Sequence, residues 1–306
     1  MITTLTLSPC IDKTVTLQNF DPDRVNRAES IRLDAGGKGI NVSIALAALG
    51  VKSESVLLGF EGSQMIFDTL DEYGIGHDHV RCHGQLRTNL KIFDTATGKT
   101  IELNEQNPEV SPETAEKVIE LCRQRAELSD IFVLSGSIPP GMPADIYRRI
   151  ADGIKQTNPK INVVLDAVGK PFLEGLRAAP YLIKPNVEEL ERSFGVTLKG
   201  DNETVALCRK IIADYSVNVV LVSMGAEGAL IVTKDKEFKA DALKIEPKSA
   251  QGAGDAMVAG ACFAISQELS VEDVLKYGTC SAAGAVEREG TAFCDLKRFE
   301  ELLSKF

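Results

Sequence analysis

Short apolar runs recur along this chain with longer amphipathic stretches between them, and that alternation limits the fold more than any other feature. Ser55 to Gly59, Ile131 to Leu134, Asn162 to Leu165, Tyr181 to Ile183 and Val217 to Val222 are brief and rich in Val, Ile and Leu. Between them, Ser63 to Tyr73, Pro112 to Glu127, Ala144 to Gln156, Glu188 to Phe194 and Glu203 to Tyr215 carry apolar residues at helical spacing. Strands that are apolar throughout are buried on both faces, and strands separated by helices run parallel. The expectation is a mostly parallel sheet with helices on both sides. No Pro/Gly/Ser-rich linker, internal repeat or low-complexity tract interrupts the pattern, so residues 1–306 are read as one domain.

Two early segments break the rhythm. Asp12 to Leu33 and Asn89 to Leu103 alternate polar and apolar residues without an intervening helix, as in Thr14-Val15-Thr16-Leu17 and Leu90-Lys91-Ile92-Phe93, with a turn signal at Ala96-Thr97-Gly98-Lys99. That is the pattern of half-exposed antiparallel strands. Such strands do not join the main sheet easily and are expected to form a small separate sheet, a candidate lid, over approximately residues 12–35 and 86–106.

Charge narrows the ligand class. With 34 Lys plus Arg against 44 Asp plus Glu, the net charge is −10, which argues against a nucleic-acid or membrane surface. The nearest basic grouping, Arg24, Arg27, Arg32 and Lys38, suits an anionic metabolite equally well. The longest apolar run, Ala256 to Ile265, is far short of the ~20 residues of a membrane span. The opening Met1-Ile2-Thr3-Thr4 has neither a basic nor an apolar signal region. Seven cysteines without a C-x-x-C pair suit free thiols. The expected location is cytoplasmic.

Four local patterns carry chemistry. Ala35-Gly36-Gly37-Lys38-Gly39-Ile40-Asn41 leads into a helix over Val42 to Leu49, where a helix N-terminus and close backbone approach suit an anion; a plain strand-to-helix turn accounts for it too. Gly252-Ala253-Gly254-Asp255 opens the most apolar helix. Its N–H groups can form an anion hole, and Asp255 at its edge can accept a proton from an attacking hydroxyl, although Asp is also an ordinary helix cap. Lys184-Pro185-Asn186-Val187-Glu188-Glu189 follows a strand; Asn186 and Glu189 could hold water around Mg²⁺, or form only a capping box. Ser223-Met224-Gly225-Ala226-Glu227-Gly228 separates two strands and suits either a flat, phosphorylated ligand or a hairpin. Neither G-x-G-x-x-G nor G-x-x-x-x-G-K-[ST] occurs, which disfavours a dinucleotide oxidoreductase and a P-loop enzyme. All three histidines fall in His77 to His83, read as a surface strand rather than a zinc site.

In this order the motifs resemble the ribokinase-like PfkB carbohydrate kinases, in the sugar-phosphate branch that holds 1-phosphofructokinase and tagatose-6-phosphate kinase. The match runs over almost the whole chain: Thr4 to Pro9 leading to Asp12, Val25-Asn26-Arg27, Gly36 to Asn41, Arg87 to Lys91, Ser135-Gly136-Ser137-Ile138-Pro139, Lys184-Pro185-Asn186 with Glu189, Val222 to Gly225, and Gly252 to Asp255. The resemblance implies a three-layer α/β/α sandwich with a small antiparallel β lid, and phosphoryl transfer from ATP, with Mg²⁺, to a sugar hydroxyl. It makes Asp255 the general base, with Gly252, Ala253, Gly254 and Asp255 as the anion hole. Asp12 and Asn41 would bind sugar hydroxyls, and Gly37, Lys38 and Ser137 would line the sugar site. Arg27 and Arg87 would grip the phosphate already on the substrate, and Lys91 would also bind the substrate. Lys184, Asn186, Ser223, Gly225, Ala226 and Gly228 would lie along the nucleotide, with Glu189 and Asn186 ordering the waters of Mg²⁺. The lid would also pair two subunits.

Ser8, Leu86, Val168 and Ala250-Gln251 depart from the usual pattern, at positions where Asn, Thr, Ser and Thr-Val are frequent. The Asn89-x-Lys91 pattern resembles 1-phosphofructokinase more than tagatose-6-phosphate kinase, so the expected acceptor is fructose 1-phosphate. Tagatose 6-phosphate is the alternative, and a catalytically inactive sugar-phosphate-binding protein is the alternative of another class.

Overall fold

The chain opens with β1 (Ile2–Thr6), β2 (Cys10–Leu17) and β3 (Ser30–Gly36), followed by α1 (Lys38–Ala48). β4 (Ser53–Glu61), α2 (Gln64–Glu72) and β5 (Gly76–Gln85) come next, then β6 (Thr88–Asp94) and β7 (Lys99–Asn104). An alternating run follows: α3 (Pro112–Ala126), β8 (Ile131–Ser135), α4 (Ile146–Thr157), β9 (Asn162–Asp166), α5 (Gly169–Leu176), β10 (Leu182–Ile183), α6 (Val187–Phe194), α7 (Asp201–Tyr215) and β11 (Val219–Ser223). β12 (Ala229–Val232) and β13 (Glu237–Ala240) precede α8 (Ala253–Ser266), α9 (Val271–Val286) and α10 (Leu296–Leu303). The computed structural model describes residues 1–288, 290 and 292–306.

Nine strands form the main sheet in the order β13-β12-β11-β10-β9-β8-β1-β4-β5. Every pairing from β11 to β5 is parallel, and only β12 and β13 run antiparallel. Apolar-throughout strands do what their composition requires and feed two cores. Val163 and Leu165 enter one with Phe132, Leu134 and Val220, while Val164 joins Ile2, Val133, Leu221 and Val258 in the other. The chain order departs in both directions from β1, through β4 and β5 on one side and β8 to β11 on the other. The β1/β8 boundary is therefore the topological switch point, where such sheets open a crevice at the strands' C-terminal ends. The histidine segment is β5, the edge strand, where His77 and His79 stack on Phe67 at centroid distances of 5.1 and 4.6 Å. Among the described residues no helix is long and apolar enough to cross a membrane.

The second sheet has the order β3-β2-β6-β7, with β2–β3 and β6–β7 antiparallel as the alternating segments suggest. Its central pair, β2–β6, is parallel. The reason lies in the parent strands: β1 runs almost directly into β2 and β5 into β6, and β1, β4 and β5 are mutually parallel. Register then sorts the side chains. Asp34, Asp12, Asn89 and Asn104 lie in one row across the four strands, with Arg32, Thr14, Lys91 and Glu102 in the next row on the same face. Ile31, Val15, Ile92 and Ile101, then Leu33, Leu90 and Leu103, occupy the opposite face. The polar face turns toward the main sheet, and the apolar face leaves Ile31, Leu33 and Leu103 about half exposed.

Candidate active site

A cleft of about 320 Å³ opens at the C-terminal ends of β1 and β8, roofed by the polar face of the small sheet. The main sheet supplies Thr6, Ser135 and Gly136, the start of α1 supplies Gly37, Lys38 and Asn41, and the small sheet supplies Asp12, Asn89, Lys91, Glu102 and Asn104. Gly252 and Asp255 close it from the side of α8. The start of α1 can sit so close to β1 because of Gly39: a Cβ there would stand 2.4 Å from the Leu5 carbonyl oxygen.

Asp255 lies in the first turn of α8, buried to 6% exposure. Gly252 caps that helix in the left-handed region, at φ 73°, which glycine adopts at little steric cost, and lines the cleft beside Asp255. Burial pushes the Asp255 carboxyl up to about 6; nearby Lys38 pulls it down, Asp166 adds to the rise, and a 2.8 Å hydrogen bond donated by Asn41 Nδ2 opposes it. A carboxylate so tuned is ionised at neutral pH yet a better proton acceptor than an exposed one.

Behind Asp255 sits a charge cluster. Lys38 Nζ donates to Asp166 Oδ2 at 3.0 Å, and Lys184 Nζ stands 3.3 Å from Asp166 Oδ1. Burial alone would raise the Asp166 carboxyl, but Lys184 and then Lys38 outweigh it and hold it below the usual range. Lys38 is raised chiefly by Asp166, with smaller contributions from Asp255 and Glu189. Lys184 also lies 3.5 Å from where a Cβ on Gly254 would be, so both lysines flank the α8 N-terminus and add positive potential where an anion would dock.

Asp12 is held by donors from β6, from the connection into α8 and from its own strand: Asn89 Nδ2 to Oδ1 at 3.0 Å, Lys91 Nζ to Oδ2 at 3.2 Å, Gln251 Nε2 to Oδ2 at 3.1 Å and Cys10 Sγ to Oδ1 at 3.6 Å. Lys91 is thus buried against Asp12. Arg87 lies at the base of the small sheet, its guanidinium donating to the carbonyls of Ser8, Pro9 and Glu105 and to Asn89 Oδ1 at 3.3–3.4 Å. It pairs with no carboxylate among the described residues, so its charge is left for an anion. Arg27 is not brought to this cleft. It is exposed on the connection between β2 and β3, well separated in register from Arg87.

A second cleft, of about 400 Å³, is lined by Asn186, Val187, Glu188, Leu198, Gly200, Thr204, Ser223, Met224, Gly225 and Glu227. The ends of β10 and β11 are tied together there by the Ser223 N–H donating to the Pro185 carbonyl at 3.0 Å. Asn186 and Glu189 form a complete capping box: Asn186 Oδ1 accepts from the Glu189 N–H at 2.7 Å, and Glu189 Oε2 accepts from the Asn186 N–H at 2.8 Å. Ala226 lies in a single 3-10 turn, Gly225–Glu227. Gly228 is outside the lining; a Cβ on it would meet the Ala240 carbonyl oxygen at 2.0 Å, so that glycine serves the β12–β13 contact.

Comparison with known proteins decides what two such clefts belong to. The model of the pfkB family of carbohydrate kinases matches residues 5–298. The chain belongs to the pfkB family of carbohydrate kinases. It is 33% identical to the 1-phosphofructokinase of Borreliella burgdorferi over 99% of this chain and 96% of that protein, and 34% identical to the 1-phosphofructokinase of Bacillus subtilis over 100% and 97%. The crystal structure of phosphofructokinase-2 from Escherichia coli has the same fold, with a TM-score of 0.93, 23% identity and coverage of 99% and 98%. The architecture is ribokinase-like, and this pfkB-family chain is a sugar-phosphate kinase using ATP.

The structure also accounts for the departures from the usual pfkB pattern. Ser8 Oγ accepts from Asn107 Nδ2 at 2.6 Å. Leu86 is buried in the core rather than in the cleft. Val168 lines the cleft and occupies the N-cap of α5, where its side chain makes no cap hydrogen bond. Gln251 reaches Asp12. Asp166 is the charged residue that sequence reasoning missed as a site residue; a carboxylate directly after the apolar run of β9, at a strand's C-terminal end, was the available signal.

Proposed function

We propose that this pfkB-family kinase transfers the γ-phosphoryl group of ATP to the 6-hydroxyl of fructose 1-phosphate, giving fructose 1,6-bisphosphate and ADP. The observation that carries the reading is the buried Asp255, raised to about 6, in the first turn of α8 where it lines the first cleft. Asp255 takes the proton of the attacking hydroxyl as its oxygen bonds to the γ-phosphorus and the bond to the β–γ bridging oxygen breaks. The N–H groups from Gly252 to Asp255, with Lys38 and Lys184 alongside, carry the negative charge of the transferring group, which needs positioning and charge compensation more than covalent help. Asp12, Asn41, Gly37 and Ser137 hold the sugar, Arg87 with Lys91 the phosphate end, and Asn186, Ser223 and Gly225 the nucleotide. The 1-phosphofructokinase relatives support this acceptor.

Mg²⁺ fits the residues present. Oxygen donors suit it, and it usually keeps several waters and binds through substrate phosphates; Glu189 keeps one carboxylate oxygen outside the capping box, and its charge is felt at Lys38. Asn186 and Glu189 would hold it through water, where it would neutralise nucleotide charge. Residues 1–306 act as one catalytic unit with the small sheet, from segments 12–35 and 86–106, as its lid, excluding water that would otherwise compete for the phosphoryl group. The half-exposed row of Ile31, Leu33, Ile101 and Leu103 calls for a cover, and a second copy of this chain supplies it in a lid-to-lid homodimer. Sedimentation at micromolar concentration should find a dimer that Leu33→Asp weakens; a monomer excludes this pairing. Seven buried free thiols suit a reducing, cytoplasmic setting.

The test is a coupled ADP-release assay with MgATP against fructose 1-phosphate, tagatose 6-phosphate, fructose 6-phosphate, fructose and ribose, ranked by kcat/KM. Fructose 1-phosphate should lead. A lead by tagatose 6-phosphate would leave the roles standing and replace the acceptor, and no turnover at all would leave a binding protein.

A further inference from the structure

Of the charged side chains that line the first cleft, all but one are engaged by the protein itself. Asp12 takes its four donors, and Lys91 is one of them. Lys38 is bonded to Asp166, Asp255 accepts from Asn41, and Arg87 donates to three carbonyls and to Asn89. Glu102 is the exception: it lines the same cleft, yet it has no hydrogen bond or ion pair among the described residues.

The strand explains both facts. Along β7, Ile101 and Leu103 fall on the outward apolar face, so Glu102 and Asn104 fall on the cleft face. β7 ends the small sheet, which leaves Glu102 a cross-strand neighbour on one side only. That neighbour is Lys91, directly opposite in register, where an oppositely charged pair would ordinarily form. Lys91 turns to Asp12 instead, at 3.2 Å. The exposed Glu102 carboxylate therefore keeps its roughly four acceptor sites open to the cleft.

An uncompensated carboxylate sorts what can lie against it. A phosphate dianion is repelled, whereas a hydroxyl donates its proton and makes a charge-assisted hydrogen bond. Arg87, whose charge is left for an anion, stands four positions along the chain before Lys91, so the two ends of the cleft roof select opposite parts of a sugar phosphate. We infer that Glu102 is an acceptor-contacting, specificity-determining residue, which accepts a hydrogen bond from one sugar hydroxyl and keeps the phosphate away from β7. This rests on the proposed function, in that the first cleft takes the ketohexose phosphate. A site that hydrogen-bonds a hydroxyl discriminates against an analogue lacking it.

The test compares the unaltered enzyme with Glu102→Ala and Glu102→Gln. It measures kcat and KM for ATP and for the ketohexose phosphate that the unaltered enzyme turns over best, together with a series of mono-deoxy analogues of that sugar phosphate and thermal melting. Glu102→Ala should raise the sugar-phosphate KM about tenfold, with the ATP KM and the melting temperature nearly unchanged, because the side chain has no protein partner to lose. Glu102→Gln, which keeps an acceptor oxygen without the charge, should fall between Glu102→Ala and the unaltered enzyme. One deoxy analogue, strongly disfavoured by the unaltered enzyme, should lose most of that disadvantage in Glu102→Ala. An unchanged sugar-phosphate KM, equal rises for both substrates, or deoxy penalties that all survive in Glu102→Ala would overturn the inference alone. No turnover of any ketohexose phosphate by the unaltered enzyme would overturn the proposed function and the inference with it.

Discussion

The two clefts are built by different means. The first cleft, the proposed acceptor side, gathers charged groups from distant parts of the chain, Asp12, Lys38, Arg87, Lys91 and Asp255, and satisfies most of them against one another or against Asp166. The second cleft, the proposed donor side, comes from one stretch, between Asn186 and Glu227, and combines the turn at Ser223 to Gly225 with residues of α6 and α7. A sugar phosphate offers a few hydroxyls and a dianion, each recognised by a specific donor or acceptor, so its site needs side chains held by long-range packing. A nucleotide presents a phosphate chain and a flat base, which backbone N–H groups and open glycine turns accommodate locally. Damage on the acceptor side should therefore be chemical and selective, while damage on the donor side should be steric and graded.

The largest effect should come from Asp255, in the first cleft. Asp255→Asn should lower kcat by about 10³–10⁴-fold while sugar-phosphate binding, followed by calorimetry, persists. Because the folded-state carboxyl is raised to about 6 from 3.8, the buried charge disfavours the native state. That penalty is absent below pH 3.8, grows as pH rises toward 6 and is complete above it. Asp255→Asn should thus stabilise the protein above pH 6 by up to about 3 kcal/mol, and wild-type kcat/KM should fall as pH drops below about 6. An active, unstabilised variant would remove the base from its role.

Next, Asp166→Ala should cost about 3–5 kcal/mol in denaturant unfolding, since it strands Lys38 and Lys184 without a counter-charge. The depressed carboxyl contributes stability at neutral pH that is lost as pH falls through its folded-state value. Equal stability for the variant would make the cluster a surface-like pair. Arg87→Ala should raise the sugar-phosphate KM by about 10–100-fold and the ATP KM by no more than about twofold; equal rises would erase the division between the clefts. The smallest effect should follow Gly225→Val, whose φ of 58° an L side chain adopts only with strain. It should raise the ATP KM several-fold and spare the sugar phosphate.

The same division governs how much the sequence reveals. The capping box at Asn186 and Glu189 follows from spacing alone, because a cap is made within one helical turn. The glycine loops at Gly36 and Gly252 are legible for the same reason. Arg27 and Arg87 look equivalent as residues near strand ends, but only Arg87 lies in the cleft; the connection after β2 carries Arg27 out into solvent. Gln251 reads as an unexplained departure until Asp12, 239 residues away in sequence, is found beside it.

Local chemistry in the sequence determined the alternation of strands and helices, the parallel sheet, the small separate sheet and the glycine turn that opens α8, because propensity, periodicity and capping act over a few residues. Tertiary structure decided the parallel β2–β6 pairing, the sorting of lid faces by register, the Asp166 bridge between two lysines and the raised carboxyl of Asp255. Those depend on desolvation and on Coulomb energies that vary with distance through space, and no spacing along the chain encodes how far apart two remote charges come to rest.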